Sequence, residues 1–131
     1  WFVPHLIVYM LAYAVMALSV ITGLASLVSD RIPKQLSGRL LSTASSLLLI
    51  GMLCGAVWAQ QAWGSYWTWD AKECWAAVTW LLTLAGMHLP KKKAMLLFIV
   101  LAFLAIQVTW YGVNWLPSSA QSLHTYNQNL F

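Results

Sequence analysis

Residues 63 to 73, Trp63-Gly64-Ser65-Tyr66-Trp67-Thr68-Trp69-Asp70-Ala71-Lys72-Glu73, hold the densest set of chemically capable side chains in the chain. Trp63, Trp67, Trp69 and Tyr66 crowd into a short polar interval between two long apolar runs. Rings of this kind pack offset or edge-on against a large planar apolar ligand and bury much area in doing so. Helical spacing would put Trp63 and Trp67 on one face with Tyr66 beside Trp69 and Asp70, whereas Gly64 and Ser65 would bend the segment. An outer interfacial belt or a helix–helix core would use the same residues, and composition leaves these readings open. The placement is lopsided, because of the 9 Trp in the chain only Trp80 falls near mid-membrane and the rest lie toward one face.

Two imidazoles flank this interval: His5 at the mouth of the first apolar run and His124 in the polar tail. Imidazole is the usual protein ligand of haem iron, and a pair would hold it six-coordinate. His88 stands at the far end of the third run, where a helix C-terminus also favours it by its dipole. Asp70 and Glu73 have the spacing of N-cap and N3 in a capping box. Asp70 could also orient a ligand, Lys72 or a proton, with Lys72 binding a propionate, and the sequence leaves those roles open. Cys54 and Cys74 form no CxxC pair and neither opens a CxxCH haem-attachment motif, so the chain is not itself a c-type cytochrome. Both read as small apolar helix residues, with no disulfide expected between their depths. Ser42, Ser45 and Ser46 have no acid or base nearby, and no phosphate loop is visible.

The elements that must position these groups are membrane spans. The chain of 131 residues is 61% hydrophobic and 8% charged, against roughly 25% charged in a soluble domain. Spans are expected at 5–28, 39–61, 71–89 and 94–113, the first about 36 Å long as a helix and enough to cross a bilayer with tilt. Pro4 suits the first helical turn, Ser19, Gly23 and Ser26 form a small-residue stripe, and Gly51 and Gly55 have GxxxG spacing. Polar, Pro- and Gly-containing loops separate the first two spans and stop the third at Pro90. Arg31, Lys34, Arg39, Lys91, Lys92 and Lys93 fall on one side, which makes that side cytoplasmic or stromal. Both termini, the segment 63–73 and the tail 114–131 then face outward. These basic loops set orientation and do not track phosphates, so nucleic acid is excluded as a partner. The expected fold is an all-α integral membrane helical bundle, a single domain of four transmembrane helices with an outward-facing Trp-rich segment. With Trp1 in place of Met and no signal peptide, the chain reads as part of a longer subunit.

The run WGSYWTWDAKECWAAVTWLLTLAGMHL and the later WYGVNWLPSSAQSLHTY resemble the tryptophan-rich haem-handling membrane proteins of cytochrome c maturation, most closely the CcsA/ResC branch of the system II synthase. The resemblance covers nearly the whole chain. It implies haem b as the ligand and substrate, with His5 and His124 as axial iron ligands before and after the motif and Trp63, Trp67, Trp69 and Asp70 as haem contacts. It also implies a role for His88 in haem passage across the membrane. The implied activity is that of a cytochrome c haem lyase component, which presents haem on the outer face for thioether attachment to CxxCH of apocytochrome c. The implied partners are a ResB-type companion membrane subunit, apocytochrome c and membrane lipid, in a bacterial plasma membrane or thylakoid. Three other classes stand beside it: a haem-delivery module without ligase activity, a di-haem electron-transfer membrane protein, and an aromatic-rich structural subunit. The electron-transfer class needs His pairs within the spans on facing helices, and only His88 lies on a span away from the outer face.

Overall fold

The computed structural model describes residues 1–33 and 35–111 and holds four helices: α1 Phe2–Val28, α2 Leu36–Trp63, α3 Ala71–Met87 and α4 Lys92–Trp110. They pack in sequence order as two antiparallel hairpins, α1 on α2 and α3 on α4, and α1–α4 and α2–α3 contacts close the bundle. This arrangement sends the N-terminus, the α2–α3 connection and the end of α4 to one end. The first and third connections go to the other, together with Arg31, Arg39 and Lys91–Lys93. The two ends are called aromatic and basic below.

Each helix stops where local chemistry requires it. α1 gives way to Ser29 in extended conformation, whose N–H bonds Ala25 O at 3.0 Å. Pro33 then biases its predecessor against the helical region. α2 begins at Leu36, earlier than the expected 39, since Gly38 and Arg39 are tolerated in a first turn. It runs on through Trp63 and ends at Gly64, at φ 80°, where the left-handed cap favours a residue without Cβ. Trp63 is therefore helical, and only 64–70 forms the connection. α3 stops at Met87, two residues short of expectation, with His88 as its C-cap ahead of Pro90.

Three helices, α1, α2 and α4, are long and apolar enough to cross a membrane. At 27, 28 and 19 residues they span about 40, 42 and 28 Å, against roughly 30 Å of hydrocarbon. α3 has 17 residues, about 26 Å, and carries Lys72 and Glu73 in its first turn, which shortens its apolar stretch.

The interior is narrow and rich in small residues. Ala12, Met16, Leu41, Ala44, Leu48, Ile99, Ala102 and Ile106 are buried, with Trp80 packed partly against them. Large apolar side chains such as Ile7, Leu11, Leu18, Ile21, Leu53 and Leu104 point outward, as lipid-facing residues do. The expected stripe on α1 is used at its α2 and α4 contacts: Ser19 donates to Ser37 O at 2.8 Å, and a Cβ on Gly23 would meet Leu96 at 2.7 Å. Side-chain hydrogen bonds also join the helices. Tyr13 and Gln107 join α1 to α4, and Thr83 donates to Ser45 at 2.9 Å between α3 and α2. Cys54 and Cys74 are free thiols.

Candidate functional site

At the aromatic end the four helices diverge around a cavity of about 240 Å³. Its lining comes from every helix and from the connection: His5 and Tyr9 of α1, Met52, Gly55 and Trp58 of α2, Tyr66 and Trp67 of the connection, Lys72 and Glu73 of α3, and Trp110 of α4. The walls are mainly apolar, with many aromatic rings and few polar groups, the usual make-up of a site for a large apolar ligand.

His5 is the best-positioned group in it. Its Nδ1 lies 2.8 Å from Gly51 O, and a carbonyl can only accept, so this geometry assigns the proton to Nδ1 and the coordinating lone pair to Nε2. Metal-binding histidines are commonly oriented in this way, by a carbonyl on the other ring nitrogen. The ring is further held by Trp58, stacked at 6.4 Å and 20°, and by Tyr9, tilted at 4.8 Å. Gly51 and Gly55 make this possible. A Cβ on Gly55 would sit 2.7 Å from His5 Nδ1, and one on Gly51 2.5 Å from the Tyr9 ring. The GxxxG pair therefore receives two aromatic rings of α1.

Around this centre the aromatic residues pack in two groups. Phe2 packs on Trp58 at 5.1 Å, and Trp58 meets Trp63 edge-to-face at 5.0 Å. Trp67 meets Trp69 edge-to-face at 5.8 Å. Ser65 Oγ donates to Trp67 O at 3.1 Å and fixes the bend after Gly64. The Trp67 indole nitrogen is buried and has no hydrogen-bond acceptor among the described residues. A buried donor left so costs about 1–3 kcal/mol.

The entry to α3 is rigidly capped. Asp70 Oδ1 accepts from Glu73 N at 2.8 Å, the N-cap half of the expected capping box. The buried Glu73 carboxylate reaches back to Thr68, accepting from its N–H at 2.7 Å and its hydroxyl at 3.3 Å. That carboxylate therefore ties the Trp-rich connection to α3. Between the two caps lies Trp69, in the left-handed region at φ 59° and 75% exposed.

The structure thus distributes the residues singled out by sequence. His5 and Trp67 line the cavity, while Trp63 stands behind Trp58, Trp69 lies on the surface against Trp67, and Asp70 caps α3. His88 is at the basic end, exposed, its Nδ1 2.8 Å from Leu84 O in the manner of a helix C-cap. His124 and the tail lie outside the described residues. Sequence reasoning passed over Trp58, Tyr9 and Trp110. The signal for Trp58 was present, since Gly51, Gly55 and Trp58 recur at the i, i+4, i+7 spacing of one helical face.

Comparison with known proteins gives a consistent result. Residues 1–120 match the family described as cytochrome C assembly protein. The chain is similar to the cytochrome c biogenesis protein CcsA of Pyropia yezoensis, 44% identical over 98 residues, covering 70% of this chain and 29% of the relative. The CcsA of Hordeum vulgare is 43% identical over 95 residues, 69% of this chain and 29% of the relative. That of Gloeobacter violaceus is 40% identical over 98 residues, 70% of this chain and 28% of the relative. The matched region is thus under a third of the length of these relatives. No solved structure matches the chain.

Proposed function

Given that the chain belongs to the cytochrome c assembly protein family and is of the CcsA type, we propose that its aromatic end binds haem b as a substrate and presents it for attachment to apocytochrome c. The observation that carries this reading is His5. It lies in an aromatic cavity with Nδ1 against a backbone carbonyl, which leaves Nε2 as the nitrogen to ligate iron. His124 supplies the second axial ligand on the reading taken from the family resemblance.

The cavity is smaller than the roughly 300–1,000 Å³ that encloses a drug-sized ligand. The described residues accordingly form one wall of the haem site, with Trp58 and Trp67 against the macrocycle and Trp63, Trp69 and Asp70 holding that wall in shape. Such a wall contributes positioning more than acid or base. In the attachment step each CxxCH thiol adds across a vinyl double bond of haem, sulfur to one carbon and hydrogen to the other, so no external oxidant or reductant is consumed. Holding vinyl and thiol in near-attack geometry can account for several kcal/mol of the barrier.

In this reading α3 is the fourth membrane span, tilted little because it is short, and the basic end is cytoplasmic or stromal. The aromatic end then faces outward from a bacterial plasma membrane or thylakoid. A ResB-type companion subunit completes the lyase, and His88 at the basic end takes part in haem passage to the outer face.

The test is the visible spectrum of the full-length protein, purified in detergent with its companion, for the parent and for a His5→Ala/His124→Ala double variant. A reduced bis-imidazole spectrum in the parent that is lost in the double variant is the expected result. A parent without a Soret band would refute haem binding. A spectrum retained, with attachment lost only when a separate ligase is withheld, would convert the assignment to haem delivery.

A further inference from the structure

At the basic end an open groove of about 460 Å³ lies between the start of α2 and the start of α4. Gln35, Gly38, Arg39 and Ser42 line one side of it, and Lys92 and Met95 the other. Gly38 adds no side chain, and the nearest atom to a Cβ placed there is Met95 Sδ, at 3.7 Å. Gln35, Arg39 and Ser42 recur at i, i+4 and i+7, so they share one face. Arg39 and Lys92 are exposed, and neither makes an ion pair among the described residues. Thr43 and Ser46 turn their hydroxyls back onto the helix, to Arg39 O and Ser42 O at 3.1 Å. The exposed Ser42 hydroxyl, by contrast, has no partner among the described residues. A guanidinium, an ammonium, an amide and a hydroxyl therefore line the groove with donors.

Depth and charge point to what these donors receive. At about 42 Å, α2 exceeds the roughly 30 Å of hydrocarbon by about 12 Å. Shared between the two ends, that excess puts Arg39, about 4.5 Å along the helix, in the headgroup layer and Ser42, about 9 Å along, at the hydrocarbon edge. The start of α4 falls at the same edge, because its length of about 28 Å nearly matches the hydrocarbon. Neither helix has a side-chain cap or an acidic residue in its first turn. Lys92 and Lys93 at the start of α4 oppose its dipole, and no described carboxylate pairs with them.

We propose that this groove binds the headgroup phosphate of an anionic phospholipid, clamped between Arg39 and Lys92, with the Gln35 amide and the Ser42 hydroxyl donating to its oxygens. A guanidinium offers a phosphate two parallel N–H donors, and charge-assisted bonds of this kind are about twice as strong as neutral ones. A lipid phosphate is held at this depth by its own acyl chains, whereas a soluble anion would have to leave water to reach it. The site lies at the opposite end of the bundle from His5 and stands independently of haem binding.

The test measures equilibrium binding of acyl-chain-fluorescent phosphatidylglycerol and phosphatidylcholine to the full-length protein in uncharged detergent. The parent is expected to prefer phosphatidylglycerol by roughly tenfold or more, the magnitude of one charge-assisted hydrogen bond. Arg39→Gln/Lys92→Gln should abolish most of that preference. Lys91→Gln/Lys93→Gln removes the same charge from the same end but spares the groove, and should keep it. All four side chains are exposed, and far-ultraviolet circular dichroism checks that both double variants keep the parent's helicity. Equal binding of the two lipids by the parent overturns the proposal. So does an equal loss of preference in both double variants, which would make the selectivity a property of the diffuse positive field. Displacement of phosphatidylglycerol by millimolar inorganic phosphate would assign the groove to a soluble anion and overturn the lipid as its occupant.

Discussion

Gly55→Ala should cripple the proposed haem site without unfolding the bundle. The added Cβ would lie 2.7 Å from His5 Nδ1 and 2.8 Å from its Cε1, about 0.7 Å inside ordinary contact. The ring cannot simply swing away, because Trp58 stacks on it and Tyr9 abuts it. Either α1 separates from α2 or His5 gives up its 2.8 Å bond to Gly51 O. Overpacking of this kind costs typically 1–3 kcal/mol, and a ligating group displaced by nearly 1 Å can lose about 10²-fold in function. Gly38→Ala is the control: its Cβ would meet only Met95 Sδ, at an ordinary 3.7 Å, so the usual helical gain of about 0.5–1 kcal/mol should appear. Helicity and thermal unfolding in detergent report the fold, and the haem spectrum reports the axial set. Gly55→Ala should keep its helicity, lose low-spin character, and recover it with added imidazole. A Gly55→Ala protein with the parent spectrum and affinity would refute the claim that His5 is held by this glycine.

Two further substitutions probe the scaffold. Asp70→Ala removes the acceptor 2.8 Å from Glu73 N and should destabilise by about 1 kcal/mol, with Asp70→Asn close to the parent in thermal unfolding. Tyr13→Phe deletes the partner that Gln107 engages at 2.6 and 3.0 Å and should cost about 1–3 kcal/mol, because the amide is left among apolar groups. Adding Gln107→Leu to that variant should restore most of the loss, and a double variant no more stable than Tyr13→Phe would show that the pair does not act through satisfaction of a buried polar group.

Three long apolar helices were legible because a bilayer forces long apolar runs and polar punctuation. What could not be read was register at the ends. Trp63 fell beyond the expected second span, yet α2 runs on to the left-handed turn at Gly64 and includes it. The apolar run at 71–89 looked like the others, yet Asp70 and Pro90 confine the helix to 17 residues. At the site, residue type identified His5 and Trp67, whereas Trp58 went unread because density of aromatics along the chain drew attention to 63–73. Proximity across helices is not a property of chain order: Phe2, Trp58 and Trp110 come to line one cavity only after α1, α2 and α4 align.

The GxxxG pair shows why such a signal underdetermines function. Spacing alone says that two helices come close. In an α-helix the carbonyl of residue 51 already accepts the N–H of residue 55, and its second lone pair is approached past the side chain at 55. Gly55 carries no Cβ, so the His5 ring passes over it to reach that lone pair at 2.8 Å. One missing methyl group therefore does two things: it admits the imidazole, and it exposes the acceptor that fixes the proton on Nδ1. Larger residues elsewhere on α2 would be tolerated on packing grounds, but at position 55 the cost is paid at Nε2, the nitrogen that would meet iron. That link joins a helix-packing motif to ligand chemistry through one hydrogen bond.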